Sequence, residues 1–411
     1  DRVMQAIVEN ILYPYTESQV ASYEAHSYGF RKGVSTFDAI SSIVARLFRA
    51  KSPRLILDGD FRKCFDNISH ESIIEKASLG MSKSHLKITK GWLEAGHIEI
   101  DGQLYLENKG TPQGGIISPT LCNLVLNELH KDIKPWRNQN GTLKPNQISI
   151  HRYADDFICI MPFDKYLEVT TKQILKTVKP IGLELHPDKT KTIKGEPFQF
   201  LGYEICQKDK WIAPPIDTVK KCYQKVKKTI KTENYTSSIV AQCNPILRGT
   251  YNYYAPFSTR KTWRRFNKME YDIAKLLFQK YHVFWLEGLV KYKDVKKKKH
   301  PLVKLGYSTL NFDDTYWLER GSDANINPST AKLYKKQKGL CPICRGKLQK
   351  PWNIHHKKIT SKNKKKSNYS NLELIHLHCH KEIHKGGTLM NNYLQKLKLK
   401  LPRIRGRKPT V

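Results

Sequence analysis

The run from Ile148 to Met161 constrains this chain more than any other stretch. Two apolar segments flank Tyr153-Ala154-Asp155-Asp156, the pattern of a hairpin that carries acids at its turn. Adjacent carboxylates on a tight turn repel each other, and the arrangement is costly unless a cation or a strong donor compensates. Arg54 to Asp58 (RLILD) reads as a short buried strand, and it opens into Gly59-Asp60-Phe61-Arg62-Lys63-Cys64-Phe65-Asp66. If that strand lies beside the hairpin, Asp60, Asp155 and Asp156 converge. Asp58 and Asp66 are competing choices that spacing alone does not separate. Three such carboxylates suit two Mg²⁺ ions about 4 Å apart, the arrangement for in-line phosphoryl transfer.

A third element, Gly110-Thr111-Pro112-Gln113-Gly114-Gly115, runs into Ser118 to His130, a helix expected to have Ser118 as its N-cap and Pro119 in its first turn. Glycines permit close backbone approach to a nucleotide, and a helix N-terminus favours phosphate. Asp38 to Ala50 has helical periodicity, and Phe198 to Cys206 reads as a short hairpin. From Asp217 to Trp285 the pattern is helical and basic, with Tyr and Trp interleaved among the lysines. That mixture suits phosphate contact with base stacking, or an amphipathic bundle whose aromatics form the core.

The charge narrows the partner. Lys and Arg number 72 against 37 acids, a balance of +35 over 411 residues, and nucleic acid is the default polyanion. A 39% apolar and 10% aromatic composition is too rich for a disordered chain. No apolar run approaches the roughly 18 residues of a membrane span, and DRVMQAIVEN lacks the marks of a secretory signal. Nine cysteines without such a signal argue against a disulfide framework. The stretch 291–306 is a basic connector, and the residues after it carry their own signature. From Ala331 to Val411 there are 22 Lys or Arg against two acids, with six of the 15 histidines.

Within that last segment, Cys341-Pro342-Ile343-Cys344 is half of a metal knuckle, and His376 with Cys379 repeats its spacing about thirty residues on. Two such pairs fit a closed tetrahedral Zn²⁺, with His378 an alternative to His376. His380 and His384, four apart, fall on one helix face. Basic runs such as 362–366 supply the electrostatics for DNA.

Taken together, Ser27-Tyr28-Gly29-Phe30-Arg31, the block from Asp58 to His70, the block from Gly110 to Leu126, Arg152 to Phe157 and Phe200-Leu201-Gly202-Tyr203 resemble the reverse transcriptases encoded by group II introns. The resemblance implies a multidomain α+β chain: partial fingers and the palm of a right-hand polymerase over 1–205, an α-helical maturase or thumb domain over 206–288, a basic DNA-binding linker over 289–330, and a ββα-metal module over 331–411. It implies that Asp60, Asp155 and Asp156 hold two Mg²⁺. The aromatic five residues after the first aspartate selects Asp60 and makes Phe65 the gate against a ribose 2′-OH. Phe61, Gln113 and Gly114 then belong to the nucleotide site, Phe200 to Tyr203 to the primer grip, and Lys189 is the proton donor to leaving pyrophosphate. Asn244 to Tyr254 matches the maturase segment, although the family often carries Trp where Thr250 stands.

The final segment resembles the HNH endonucleases. By that resemblance His356 is the general base, His355, His380 and His384 hold one divalent ion, and Asn371 positions the histidine-bearing loop. The implied partners are group II intron RNA, target DNA and dNTPs, with no membrane and with a dimer admitted in the ribonucleoprotein. The implied setting is bacterial cytoplasm or an organelle. The family's basic block that precedes this region is expected upstream of Asp1. A splicing-only RNA-binding protein that has lost polymerisation is the alternative, and a reverse transcriptase of a defence or retron system is a second rival.

Overall fold

The computed structural model describes residues 2–23, 25–50, 52, 54–95, 97–98, 104–105, 108–112, 114–133, 147–295, 328–348, 352–357 and 371–384. The chain divides into two compact units, Asp1–Ser308 and Thr309–Val411. Gln113, the side chain of His384, most of the 289–330 segment and the basic run 362–366 lie outside the described residues.

The first unit opens with α1 (Arg2–Ser22), β1 (His26–Ser27), α2 (Thr36–Phe48) and β2 (Leu55–Gly59). The Asp38 carboxylate accepts from the Ser35 backbone N–H at 2.9 Å and so caps α2. After the short α3 (Cys64–Asn67) come α4 (His70–Ser78), α5 (Lys83–Glu94) and the two-residue strands β3 (His97–Ile98) and β4 (Leu104–Tyr105). Then follow α6 (Ser118–Leu126), α7 (Glu128–Asp132), β5 (Ser149–Tyr153), β6 (Asp156–Met161), α8 (Leu167–Val178) and β7 (Lys191–Lys194). The helix expected from Ser118 to His130 is thus two. Ser118 lies inside the first rather than capping it; Ile117 precedes it, and the Ser118 hydroxyl donates to the Pro112 carbonyl at 2.9 Å.

The main sheet has the order β1-β5-β6-β2-β7, with β1 parallel to β5 and the other pairs antiparallel. Its inner strands β2 and β6 are buried on both faces, which is why they read as unbroken apolar runs. Strand side chains alternate, and here they feed two cores. Leu55, Leu57, Phe157, Cys159 and Met161 join a core with α1, α4 and α6. Ile56, Ile158 and Ile160 join another, with α2 and the helices that follow.

A second sheet, β8 (Phe198–Phe200), β9 (Tyr203–Cys206) and β10 (Trp211–Ala213), leads into α9 (Ile216–Thr232), α10 (Thr236–Tyr254) and α11 (Arg260–Tyr281). One apolar stripe per helix (Cys222, Val226 and Ile230; Ile239, Cys243 and Leu247; Phe266, Ile273 and Leu277) is buried, and the lysines take the outer face.

The second unit contains α12 (Pro328–Lys336), β11 (Trp352–His356), β12 (Leu372–His376) and α13 (Leu377–His384). The two strands are antiparallel, with His355 opposite Glu373. The Gln337 amide clamps β12, donating to the Leu374 carbonyl and accepting from its N–H. Leu333, Tyr334, Cys341, Leu374, Ile375 and Cys379 form its core. Among the described residues no helix is long and apolar enough to cross a membrane.

Candidate functional site

The hairpin β5–β6 closes on the pair Tyr153–Asp156, which leaves Ala154 and Asp155 as a two-residue turn. Ala154 sits at φ +58°, left-handed, where a side chain costs about 1 kcal/mol. The position persists because its surroundings hold it. Gly29 lies against the turn so closely that a Cβ there would stand 2.2 Å from the Ala154 nitrogen. Beneath it, fully buried Arg152 donates to the Ala154 carbonyl at 2.8 Å, to Asn123 Oδ1 at 2.8 Å, to Asn127 Oδ1 at 2.7 Å and to Ser27 Oγ at 2.8 Å. All four acceptors are neutral, and burial pushes the guanidinium down to about 10, still cationic at neutral pH. Asn123 on α6 and Asn127, the residue that caps its C-terminal end four positions on, both face it. Arg31, paired with Glu17 at 2.8 and 2.9 Å, fixes the loop that carries Gly29.

The register of β2 against β6 pairs Gly59 with Phe157, so Asp60 follows onto the same end of the sheet as Asp156. Enclosure by protein raises the Asp156 carboxyl, the charges of Asp155 and Asp60 raise it further, and Lys189 opposes them. Asp58, on the same face as Asp60, is raised to about 6, first by burial and then by Asp156, with Lys191 opposing and Asp60 adding. Lys191 is its cross-strand partner on β7. The Lys189 ammonium stands 3.1 Å from Asp60 Oδ2. Carboxylates crowded enough to raise Asp58 and Asp156, with a lysine drawn against Asp60, form a donor set deficient in positive charge, and this fits divalent cations. Asp60, Asp155 and Asp156 are therefore brought to one end of the sheet, and Asp58 comes with them.

The nucleotide positions separate. The Phe61 ring is buried against Phe157, centroids 5.0 Å apart, so it belongs to the core and not to an open pocket. Phe65 is half-buried and meets Phe30 edge-on at 6.2 Å. The glycine loop is tied to the segment before it: the Gly110 and Thr111 N–H groups donate to the Ile68 and Phe65 carbonyls at 2.6 and 2.7 Å. Gly110, at φ +84°, would clash with the Asp66 carbonyl if it carried a Cβ, whereas Gly114 faces open space.

Phe200 and Tyr203 close a second two-residue turn, with Leu201 at φ +45° and Gly202 at φ +73°. It is held from α10. Tyr253 and Tyr254 donate to the Leu201 and Gly202 carbonyls, each at 2.7 Å, and Tyr203 donates to the Tyr253 carbonyl. Tyr251, fully buried, donates to Glu270 at 2.9 Å. The tyrosines of this segment thus serve packing and hydrogen bonding rather than base stacking.

In the second unit, Cys341, Cys344, His376 and Cys379 offer ligand atoms that all lie within 4.8 Å of one another. His376 turns Nδ1 toward Cys344 Sγ at 3.3 Å, while its Nε2 sits 2.8 Å from the Lys347 carbonyl, which fixes the tautomer a metal needs. His378 is exposed and stacks on His376. Burial would push the Cys344 thiol up, but hydrogen bonds from the Gly346 backbone, Cys379, His376 and Cys341 bring it down to about 7. Three thiols and one imidazole in this compass fit a tetrahedral zinc. On β11, His355 is buried with its ring 5.4 Å from that of His380, and His356 faces solvent. The Asn371 carbonyl accepts from the Lys357 N–H at 2.8 Å, joining the two strands below the histidines.

The sequence reading missed Arg152, Asn123, Asn127, Tyr253 and Tyr254 as supports of the two turns. The signal was present: an arginine in phase with Ile150 on a buried strand, and two asparagines four apart in an otherwise apolar helix.

The family models agree with this layout. Reverse transcriptase (RNA-dependent DNA polymerase) matches residues 1–205, the group II intron maturase-specific domain 219–287, and HNH endonuclease 341–386. Protein YkfC of Escherichia coli K12 is 30% identical over 239 residues, 51% of this chain and 61% of that protein. The group II intron-encoded protein LtrA of Lactococcus lactis is 32% identical over 262 residues, 50% of this chain and 43% of that one. The chain therefore spans less than two thirds of either relative. Among solved structures, apo telomerase from Candida tropicalis aligns over 66% of this chain and 53% of that chain, with 13% identity and a TM-score of 0.43. With polymerase, maturase and nuclease domains in this order along the sequence, the chain belongs to the group II intron-encoded reverse transcriptase/maturase family, in the form that carries an HNH domain.

Proposed function

We propose that the protein copies its intron RNA into DNA, assists splicing of that RNA, and nicks target DNA for intron homing. The convergence of Asp60, Asp155 and Asp156 at one end of the main sheet supports the polymerase part most strongly. Two Mg²⁺ held by these carboxylates would supply the charge that activates a primer 3′-OH and neutralises the leaving triphosphate. Asp60 and Asp156, at the strand ends, orient the cations. Phe65, braced by Phe30, excludes a ribose 2′-OH. Lys189, beside Asp60, donates a proton to departing pyrophosphate. The basic outer faces of α9 and α11 carry the phosphate contacts to intron RNA.

In the second unit the zinc held by Cys341, Cys344, His376 and Cys379 is structural. His356, exposed on β11, takes a proton from the attacking water. His355 and His380, whose rings lie 5.4 Å apart, would hold the divalent ion of the nuclease.

Primer extension on an RNA template with Mg²⁺ and dNTPs tests the polymerase. Asp155→Ala should abolish cDNA while assisted splicing survives; if both disappear together, the turn is merely structural. Splicing assistance without any extension by the unaltered protein would favour the splicing-only alternative. His356→Ala should stop nicking and leave the zinc bound.

A further inference from the structure

We infer that Tyr253 and Tyr254 of α10 are positioning residues for the primer: they make the turn at Leu201 and Gly202 an extension of the maturase helix rather than of the palm sheet. The inference rests on the polymerase reading above. In a two-residue hairpin the carbonyls of the central pair have no partner in the strand ladder and point outward. Here each is taken by one tyrosine hydroxyl, Tyr253 on Leu201 and Tyr254 on Gly202, both at 2.7 Å. The return contact uses the helix's own unpaired end. Tyr253 lies in the last turn of α10, where carbonyls lack an intrahelical donor, and the Tyr203 hydroxyl supplies one.

The three rings also lock together. Tyr203 stacks on Tyr253 at 5.0 Å and meets Tyr254 edge-on at 4.9 Å, and Tyr253 meets Tyr254 edge-on at 5.1 Å. Tyr203 and Tyr254 are buried, while Gly202 at the tip is exposed. The clasp therefore fixes a surface turn from behind and leaves its tip free for the primer strand. None of the hydroxyls is aimed at the aspartates, so the clasp acts on where the primer lies and not on the bond-making step.

Tyr→Phe substitutions remove these hydroxyls and keep the rings. In Tyr253→Phe/Tyr254→Phe, steady-state extension should show KM for primer–template raised about tenfold, as two part-buried turn carbonyls lose their donors. Turnover at saturating primer and KM for dNTP should stay within about twofold, and thermal melting should shift by only a few degrees. Tyr235→Phe, an exposed residue outside the clasp, should match the unaltered protein. An unchanged primer KM overturns the proposal, as does a fall in turnover with primer KM unchanged. If the unaltered protein extends no primer at all, the polymerase reading fails first, and that result is distinct from either.

Discussion

The guanidinium of Arg152 donates to the carbonyl oxygen of Ala154 at 2.8 Å, one residue before Asp155. The contact joins a buried cation to the strained residue of the turn. Arg152→Lys keeps the charge but cannot reach four acceptors in three directions. It should cost about 2–4 kcal/mol of stability, because buried oxygens of Asn123, Asn127 and Ala154 lose donors. Primer extension should fall by about two orders of magnitude, with a higher Mg²⁺ requirement. Urea melts and extension assays on the same preparation check both; a variant normal in each would show that the turn holds itself.

Gly29→Ala tests the other side of that turn. The new Cβ would meet backbone, not a movable side chain, so the turn must shift. Extension should drop to background while the circular dichroism spectrum and the zinc content are kept. Gly91→Ala, in α5 with open space around its Cβ, should be neutral or stabilise by about 0.5–1 kcal/mol. Equal effects of the two substitutions would contradict the close approach.

One equivalent of zinc per chain is expected by elemental analysis of the purified protein. His376→Ala should lose it and His378→Ala should keep it, because only His376 directs a ring nitrogen at the thiols. Chelation should unfold the second unit, read by proteolysis, with primer extension intact. Zinc retained in His376→Ala would reassign the fourth ligand.

His130 and His151 are fully buried, and burial holds both well below the usual imidazole range, with neighbouring cations adding (Arg152 first for His130, His26 first for His151). The native state keeps them neutral while the unfolded chain takes up protons below about pH 6.5. Stability is therefore present above that pH and lost as the pH falls, by up to about 1.4 kcal/mol per unit for each histidine. Urea midpoints should decline from pH 7 to pH 5.5. His130 Nε2 has no hydrogen-bond partner, so His130→Leu should flatten the decline by roughly half; an unaltered slope would count against this account.

The parts of the fold that were legible in the sequence are those where one local rule decides. The hairpin over 148–161 was readable because apolar runs end at acids, and the cluster of Cys341, Cys344, His376 and Cys379 because its spacing is short. Spacing alone did not separate Asp58 from Asp60, and only the resemblance selected Asp60, because the choice needs the register of β2 against β6, which is a long-range property. The clasp was missed because tyrosines read equally as core or as stacking platforms, and only the chain's return from β9 to α10 shows which carbonyls they meet. Ser118 was read as a cap from residue type, but the loop before it offers the Pro112 carbonyl instead.

Neighbouring positions along β2 and β6 answer to opposite cores. Adding or deleting a single amino acid within either strand would exchange every inward side chain for its neighbour and turn the terminal acids to the wrong face. Lineages of this protein are thus free to lengthen or trim their surface loops, but the short distance between Leu55 and Asp60, and that between Asp156 and Met161, must be inherited without change in length.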